Sequence, residues 1–287
     1  MDGARADNDH PAAVLRLLDA GSEGIWQAIM LAEKSGHTEL MQTIIGYATS
    51  MRRAAESPSK VPGCVMQSAS KGYPFTAMAW IEAGGNVDGI GADGDGDDFT
   101  MLMMASCCNR LGIVNVLIET GKASIDFMTG PEQCAILCAA SLGHADIVLR
   151  LCRAGSIHVF PAMRSAEKHG HVDTVRALST HIKKVHASLW TGGGEKLSFY
   201  IASAAADGLE ATVLAWVEGG GCVDATLSAE EGTKDKTLLH FACENNQASL
   251  VSLLIKHNAD TNVQDSRGVS PLIESAARGH ASIVSRL

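Results

Sequence analysis

A turn residue returns along this chain at near-regular intervals. Gly36, Gly72, Asn109, Gly143, Gly170, Gly208, Asn246 and Gly279 each separate two stretches whose apolar residues fall at helical spacing. The steps between them are 36, 37, 34, 27, 38, 38 and 33 residues. Six of the eight are Gly and two are Asn, the residue types that most easily end a helix in the left-handed region. Each unit therefore reads as helix, tight turn, helix, and the chain as a row of such units.

Both helices of a unit carry further signals. "TLLHFACENN" (237–246), "SPLIESAARG" (270–279) and "TMLMMASCCN" (100–109) open on Thr or Ser, which are good N-caps. Pro271 falls at the first helical position, where its missing N–H costs little. After the turn come segments such as "LGHADIVLRLCRAG" (142–155), "HGHVDTVRALSTH" (169–181) and "SGHTELMQTIIGY" (35–47), with one apolar stripe each.

These units resemble the ankyrin repeat family. The resemblance is strongest in "NADTNVQDSRGVSPLIESAARGHASIV" (258–284) and "TLLHFACENNQASLVSLLIKHNADTNVQD" (237–265). It extends over residues 9–287 as about eight units plus partial terminal ones, behind a disordered tail at 1–8. "DHPAAVLRLLDAG" (9–21) reads as the second half of a unit. The resemblance implies an all-α helical-repeat solenoid of stacked helix-turn-helix units with projecting β-hairpin fingers. Irregular connections are expected near 48–62, 153–165 and 181–198: the 27-residue step before Gly170 leaves no room for a hairpin, while 48–62 and 181–196 are insertions, the second partly extending a helix.

Bulk chemistry narrows the function classes. The 287 residues carry 23 Lys plus Arg against 32 Asp plus Glu, a net charge of -9. Such a chain gains little from phosphate counterion release, so nucleic acid is not an expected partner. No apolar run approaches the ~18 residues that span a bilayer, and "MDGARADNDH" has no apolar core of a secretory signal. Eight cysteines show no C-x-x-C and no paired Cys/His ligand spacing, which reads as reduced, buried thiols of a cytosolic chain. The expected location is the cytoplasm, or the nucleus.

One stretch imitates chemistry. "GIGADGDGDDFT" (89–100) contains a literal G-x-G-x-x-G and a run that starts like a calcium loop. The dinucleotide reading lacks a buried strand before the motif and a helix opening at its third glycine, and carboxylates follow Gly94. The calcium reading finds Asp98 where Gly is needed and Met104 where a bidentate Glu is needed. The repeat frame makes this stretch a finger with an acidic tip, Asp93, Asp95, Asp97 and Asp98. No cofactor or metal is expected. His37, His144, His171 and His280 all follow a turn glycine, and His240 stands in the first-helix signature, so structural ties are expected of them. No catalytic constellation appears. Ser57 and Ser59 form a candidate phosphorylation site, and the final "SRL" imitates a peroxisomal tripeptide inside a helix.

The ankyrin resemblance implies protein binding on the concave face and finger tips. In this frame the contact positions are the four finger aspartates and Met104, Cys107, Cys108, Cys138, Leu142, Lys168, His169, Asp207, Phe241, Glu244, Asn245, Glu274 and Arg278. Met104, Cys138 and Leu142 would make an apolar patch. The partner is another protein, with a basic patch suited to the acidic tip. The chain is expected to be a monomeric, non-catalytic adaptor. The alternative is the regulatory or substrate-recruiting arm of a larger enzyme, such as a kinase or ubiquitin ligase.

Overall fold

The computed structural model describes residues 23–50, 60–92, 98–131, 133–185, 197–228 and 234–287. All eight turn residues take positive φ, from 56° at Asn109 to 88° at Gly72. Each turn joins a first helix to a second. The pairs are α1 (Glu23–Lys34) with α2 (Thr38–Ser50), α3 (Gly63–Lys71) with α4 (Pro74–Glu82), α5 (Met101–Cys107) with α6 (Leu111–Glu119), and α7 (Ala135–Ser141) with α8 (Ala145–Arg153). They continue as α9 (Val159–Lys168) with α10 (Val172–Val185), α11 (Phe199–Asp207) with α12 (Glu210–Glu218), α13 (Leu238–Glu244) with α14 (Ala248–Lys256), and α15 (Pro271–Ala277) with α16 (Ala281–Val284).

Among the described residues, two antiparallel strand pairs form hairpins. β1 (Gly91–Ala92) pairs with β2 (Asp98–Phe99), and β3 (Thr226–Ser228) pairs with β4 (Lys234–Thr237). The first hairpin is the acidic stretch of the sequence, so that segment is a finger, although Asp93, Asp95 and Asp97 lie outside the described residues. The second is bulged beside Ser228, with Asp235 at φ 52°. The short step before Gly170 is met as expected: only residues 154–158 separate α8 from α9. The second insertion does extend a helix, since α10 runs 14 residues to Val185. The tail, residues 9–21, most of the first insertion with Ser57 and Ser59, and residues 186–196 lie outside the described residues.

The chain divides into two compact units, Met1–Ala139 with Arg150–Ile157, and Ala140–Leu149 with His158–Leu287. In the first, α1, α3 and α5 stack side by side and the second helices line up behind them. Trp26 and Trp80 meet edge to face at 5.1 Å, within a core that includes Ile25, Ile29, Ile44, Met101, Ile113 and Leu117. In the second, α9, α11, α13 and α15 stack in the same way over Ile201, Trp216, Leu239, Leu250, Val251 and Leu254. Trp80 and Trp216 each lie against a glycine: a Cβ on Gly85 or on Gly221 would fall 2.2 or 2.3 Å from the indole ring.

Polar ties between successive repeats recur at fixed places. Glu33 caps the next second helix, accepting from the N–H groups of Phe75 (3.0 Å) and Thr76 (2.9 Å) and from the Thr76 hydroxyl. Glu167 does the same for Ala211 and Thr212, both at 2.8 Å. Asp88, Asp126 and Asp224, in the loops after second helices, accept from the backbone N–H of Ser124, Ile157 and Asp260. A third row starts at the residue after the turn. Arg110, His171, Gln247 and His280 reach the carbonyls of Ser70 (2.8 Å), Ser141 (2.8 Å), Ala206 (2.9 Å) and Glu244 (3.3 Å), each two residues before the previous turn. These ties supply partners to the backbone groups that helix ends leave unpaired.

The same features show a longer period. Turns 36, 72, 109 and 143 recur as 170, 208, 246 and 279, offset by 134, 136, 137 and 136 residues. Glu33 corresponds to Glu167, Trp80 to Trp216, Asp88 to Asp224, Thr100 to Thr237, and the first hairpin to the second. The array is a four-repeat block written twice.

Candidate partner-binding surface

The contact positions predicted from sequence fall into four groups, the last being Met104 with Cys107, Cys108 and Cys138. The first is the finger. Asp98 is exposed on β2 opposite Ala92. The second is the position just before the turn, at the end of the first helix or one residue past it. Leu142, His169, Asp207, Asn245 and Arg278 are all exposed there, and Lys168 beside them is exposed too. Asp207 is held by Arg164 at 2.8 Å, and His169 bonds back to its own helix at the Ser165 carbonyl.

The third group sits at the base of the second finger and is an ion-pair network. Lys236 on β4 donates to Glu244 at 2.7 Å and lies 3.9 Å from Glu274. Arg278 reaches both carboxylates, bonding Glu244 and, at 3.0 Å, Glu274. Arg267 adds a contact to Glu274 at 3.4 Å and two bonds to the buried carboxylate of Asp265 at 2.8 and 2.9 Å. Lys236 also stands 6.0 Å over the Phe241 ring. Burial opposes ionisation of Asp265, but Arg267 and the N–H groups of Val269 and Arg267 outweigh it and hold the carboxyl at about 2. Burial likewise opposes ionisation of Glu274, and its Arg278, Lys236 and Arg267 neighbours lower its pKa. Glu274 is 8% exposed, so its first duty is to join α13, α15 and the finger.

His240 anchors this region from inside. It is fully buried; its Nδ1 accepts from the Thr237 N–H (3.2 Å) and its Nε2 meets the Val269 carbonyl (3.0 Å). A backbone N–H only donates and a carbonyl only accepts, so the ring is neutral with its proton on Nε2. Burial lowers its pKa.

Met104 is 9% exposed and packs its sulfur toward Cys108 at 4.0 Å. Cys107, Cys108 and Cys138 are half-buried, and hydrogen bonding to Cys107 together with burial raises the Cys138 thiol. Burial raises the thiols of Cys108, Cys134 and Cys243 and pushes that of Cys152 up to about 12. Sequence reasoning missed Lys236, Arg267 and Asp265. Their signal was weak: a cation on a finger strand and a D-x-R pair in a loop.

Residues 201–287 match the family model for ankyrin repeats in three copies. Residues 201–287 are ankyrin repeats, and the ankyrin repeat fold extends beyond them. Among solved structures, the human ASB11 ankyrin repeat domain shares the fold with a TM-score of 0.52 at 19% identity, over 78% of this chain and 97% of that one. Among curated proteins, the mouse 2-5A-dependent ribonuclease is 40% identical over 65 residues, 23% of this ankyrin chain. The match spans 9% of that ribonuclease's length. No helix among the described residues is long and apolar enough to cross a membrane.

Proposed function

We propose that this chain is a non-catalytic adaptor that holds another protein along the turn-side edge of its first helices and on its fingers. Ankyrin repeats are in general protein–protein interaction modules. One observation carries the reading to this chain. After four of the turns the chemistry is shared, with Arg110, His171, Gln247 and His280 each a donor tied to the preceding repeat, whereas the exposed residue just before the turn changes from Leu142 to His169, Asp207, Asn245 and Arg278. A framework held constant beside a row that varies is what recognition of one partner requires. The acidic first finger suits a partner with a basic patch, and a monomer working in the cytoplasm or nucleus fits this reading. The test is a chain carrying His169→Glu and Asn245→Lys, both exposed and away from the core. Its circular dichroism should be unchanged while proteins crosslinked to it in cell extract are lost. Recovery of the same proteins in the same yield would remove the row from the function.

A second reading is that the array recruits or regulates for a catalytic domain of a larger protein. It is favoured by the similarity to a ribonuclease much longer than the matched segment. Expression of the array alone distinguishes the two, since an adaptor keeps its partner and a regulatory arm has its effect only when joined to the enzyme.

A further inference from the structure

The two fingers are rooted on different chemistry. Below the first, Thr100 accepts from the N–H of Met103 at 3.3 Å, and Met103 is buried. Below the second, the equivalent pair is Thr237 and His240. Position 240 stands six residues before its turn, where the first three repeats hold Met30, Met66 and Met103. An imidazole thus occupies the place of a thioether. The Thr237 N–H donates to its Nδ1 at 3.2 Å, and the Thr237 hydroxyl lies 2.9 Å from the same nitrogen. On the other side Nε2 donates at 3.0 Å to the Val269 carbonyl, which also accepts the Asp265 N–H at 2.9 Å. One buried ring therefore holds both β4, which ends at Thr237, and the loop 265–269 to α13.

We propose that His240 is an acid-sensitive latch: a proton on Nδ1 frees β4 and the loop 265–269 from α13 while the helices of the repeat stay packed, and the first finger, rooted on Met103, does not respond. The Thr237 hydroxyl can turn its own proton away from a protonated Nδ1. The Thr237 N–H cannot, and one donor then faces another. The charge is also buried, with Lys236 of β4 opposing it and Asp265 and Glu274 favouring it. Those two carboxylates already pair with Arg267 and Arg278. Of the other helices packed on α13, α11 brings Tyr200 and Asp207, the latter paired with Arg164, and α14 brings Lys256 in its last turn. Glu244 lies at the end of α13 itself, and His280 bonds its carbonyl. The helices have a separate hold, since Leu239, Leu250, Val251 and Leu254 are buried and do not titrate. Opening parts Lys236 from Glu244 and Glu274, and so takes apart the contact surface at the base of the finger. That consequence for a partner rests on the function proposed above; the opening does not.

The experiment is residue-resolved hydrogen exchange of the full chain between pH 7.5 and 5, with opening constants corrected for the intrinsic pH dependence of exchange. A ring that takes its proton only when opened makes opening up to about tenfold easier for each pH unit below its free value of 6.5. That rise is expected at the amides of Thr237 and Asp265. The Val251 amide, inside α14, should stay protected well after they open, and the Met103 amide should show no rise. His240→Gln should abolish the rise and keep protection at neutral pH, because Gln serves at the third helical position of a capping box. His280→Gln should leave the rise in place. Flat constants at Thr237 and Asp265 in the wild type, or a rise that survives His240→Gln, would overturn the latch. So would Val251 opening together with them, since the repeat would then unfold as one body.

Discussion

Gly143 shows how much one backbone angle decides. It stands at φ 78°, and a Cβ there would lie 2.6 Å from Nδ1 of His171, the ring that ties this repeat to the next. Gly143→Val therefore meets both backbone strain and a clash, and is expected to cost more than ~1 kcal/mol in urea unfolding. His240 makes a second residue-scale prediction, in pH. Its folded pKa lies below the ordinary value of 6.5, so the unfolded chain binds the proton first. Its contribution is complete above about pH 6.5 and is lost on acidification below it. The unfolding free energy should rise with pH across that limb, and His240→Gln should flatten the rise. Asp265 acts lower on the scale: held at about 2 against 3.8, it supports the fold above 3.8 and ceases to as pH falls toward 2. Asp265→Asn should lower stability at neutral pH and shrink that acid limb.

At the scale of the element, the caps differ in what supplies them. Thr100, Ser198 and Ser270 cap their own first helices by accepting an N–H three residues on. The second helices α4 and α12 are capped from the preceding repeat by Glu33 and Glu167. Glu167→Ala should cost ~1–2 kcal/mol and speed hydrogen exchange first at Ala211 and Thr212, at the start of α12. A loss spread evenly over the unit would mean that the carboxylate serves packing, not capping. Exchange should also be faster in 153–185 than in α13 and α14, because its connections depart furthest from the regular unit. The helices, their N-caps and the eight turns were legible in the sequence because each depends on residues within about ten positions of one another. The site was less legible. Met104 and Glu274 stand at exposed slots of an ideal repeat, yet one is buried among sulfurs and the other under two arginines and a lysine. Those partners lie up to 38 residues away in sequence, from Lys236 to Glu274, and a pattern read one repeat at a time does not bring them together. The inter-repeat row was half legible for the same reason: histidine repeats visibly at 171 and 280, but Arg110 and Gln247 do the same work under other letters.

Across the whole molecule, the doubled block turns one experiment into its own control. Trp80 and Trp216 are equivalent, each 1% exposed and each backed by a glycine. Trp80→Ala and Trp216→Ala should each cost ~3–5 kcal/mol. Because repeats lean on their neighbours alone, lost exchange protection should stay in the unit that carries the change. Equal loss in both units from either variant would mean that the array unfolds as one body. The row of bonds from the post-turn residues bears on how such a chain changes over time. Each bond ends on a peptide oxygen, and every amino acid offers the same oxygen. The receiving repeat can thus replace its displayed side chains one after another without forfeiting its neighbour, so adjacency and vocabulary vary independently, as word order does from the words.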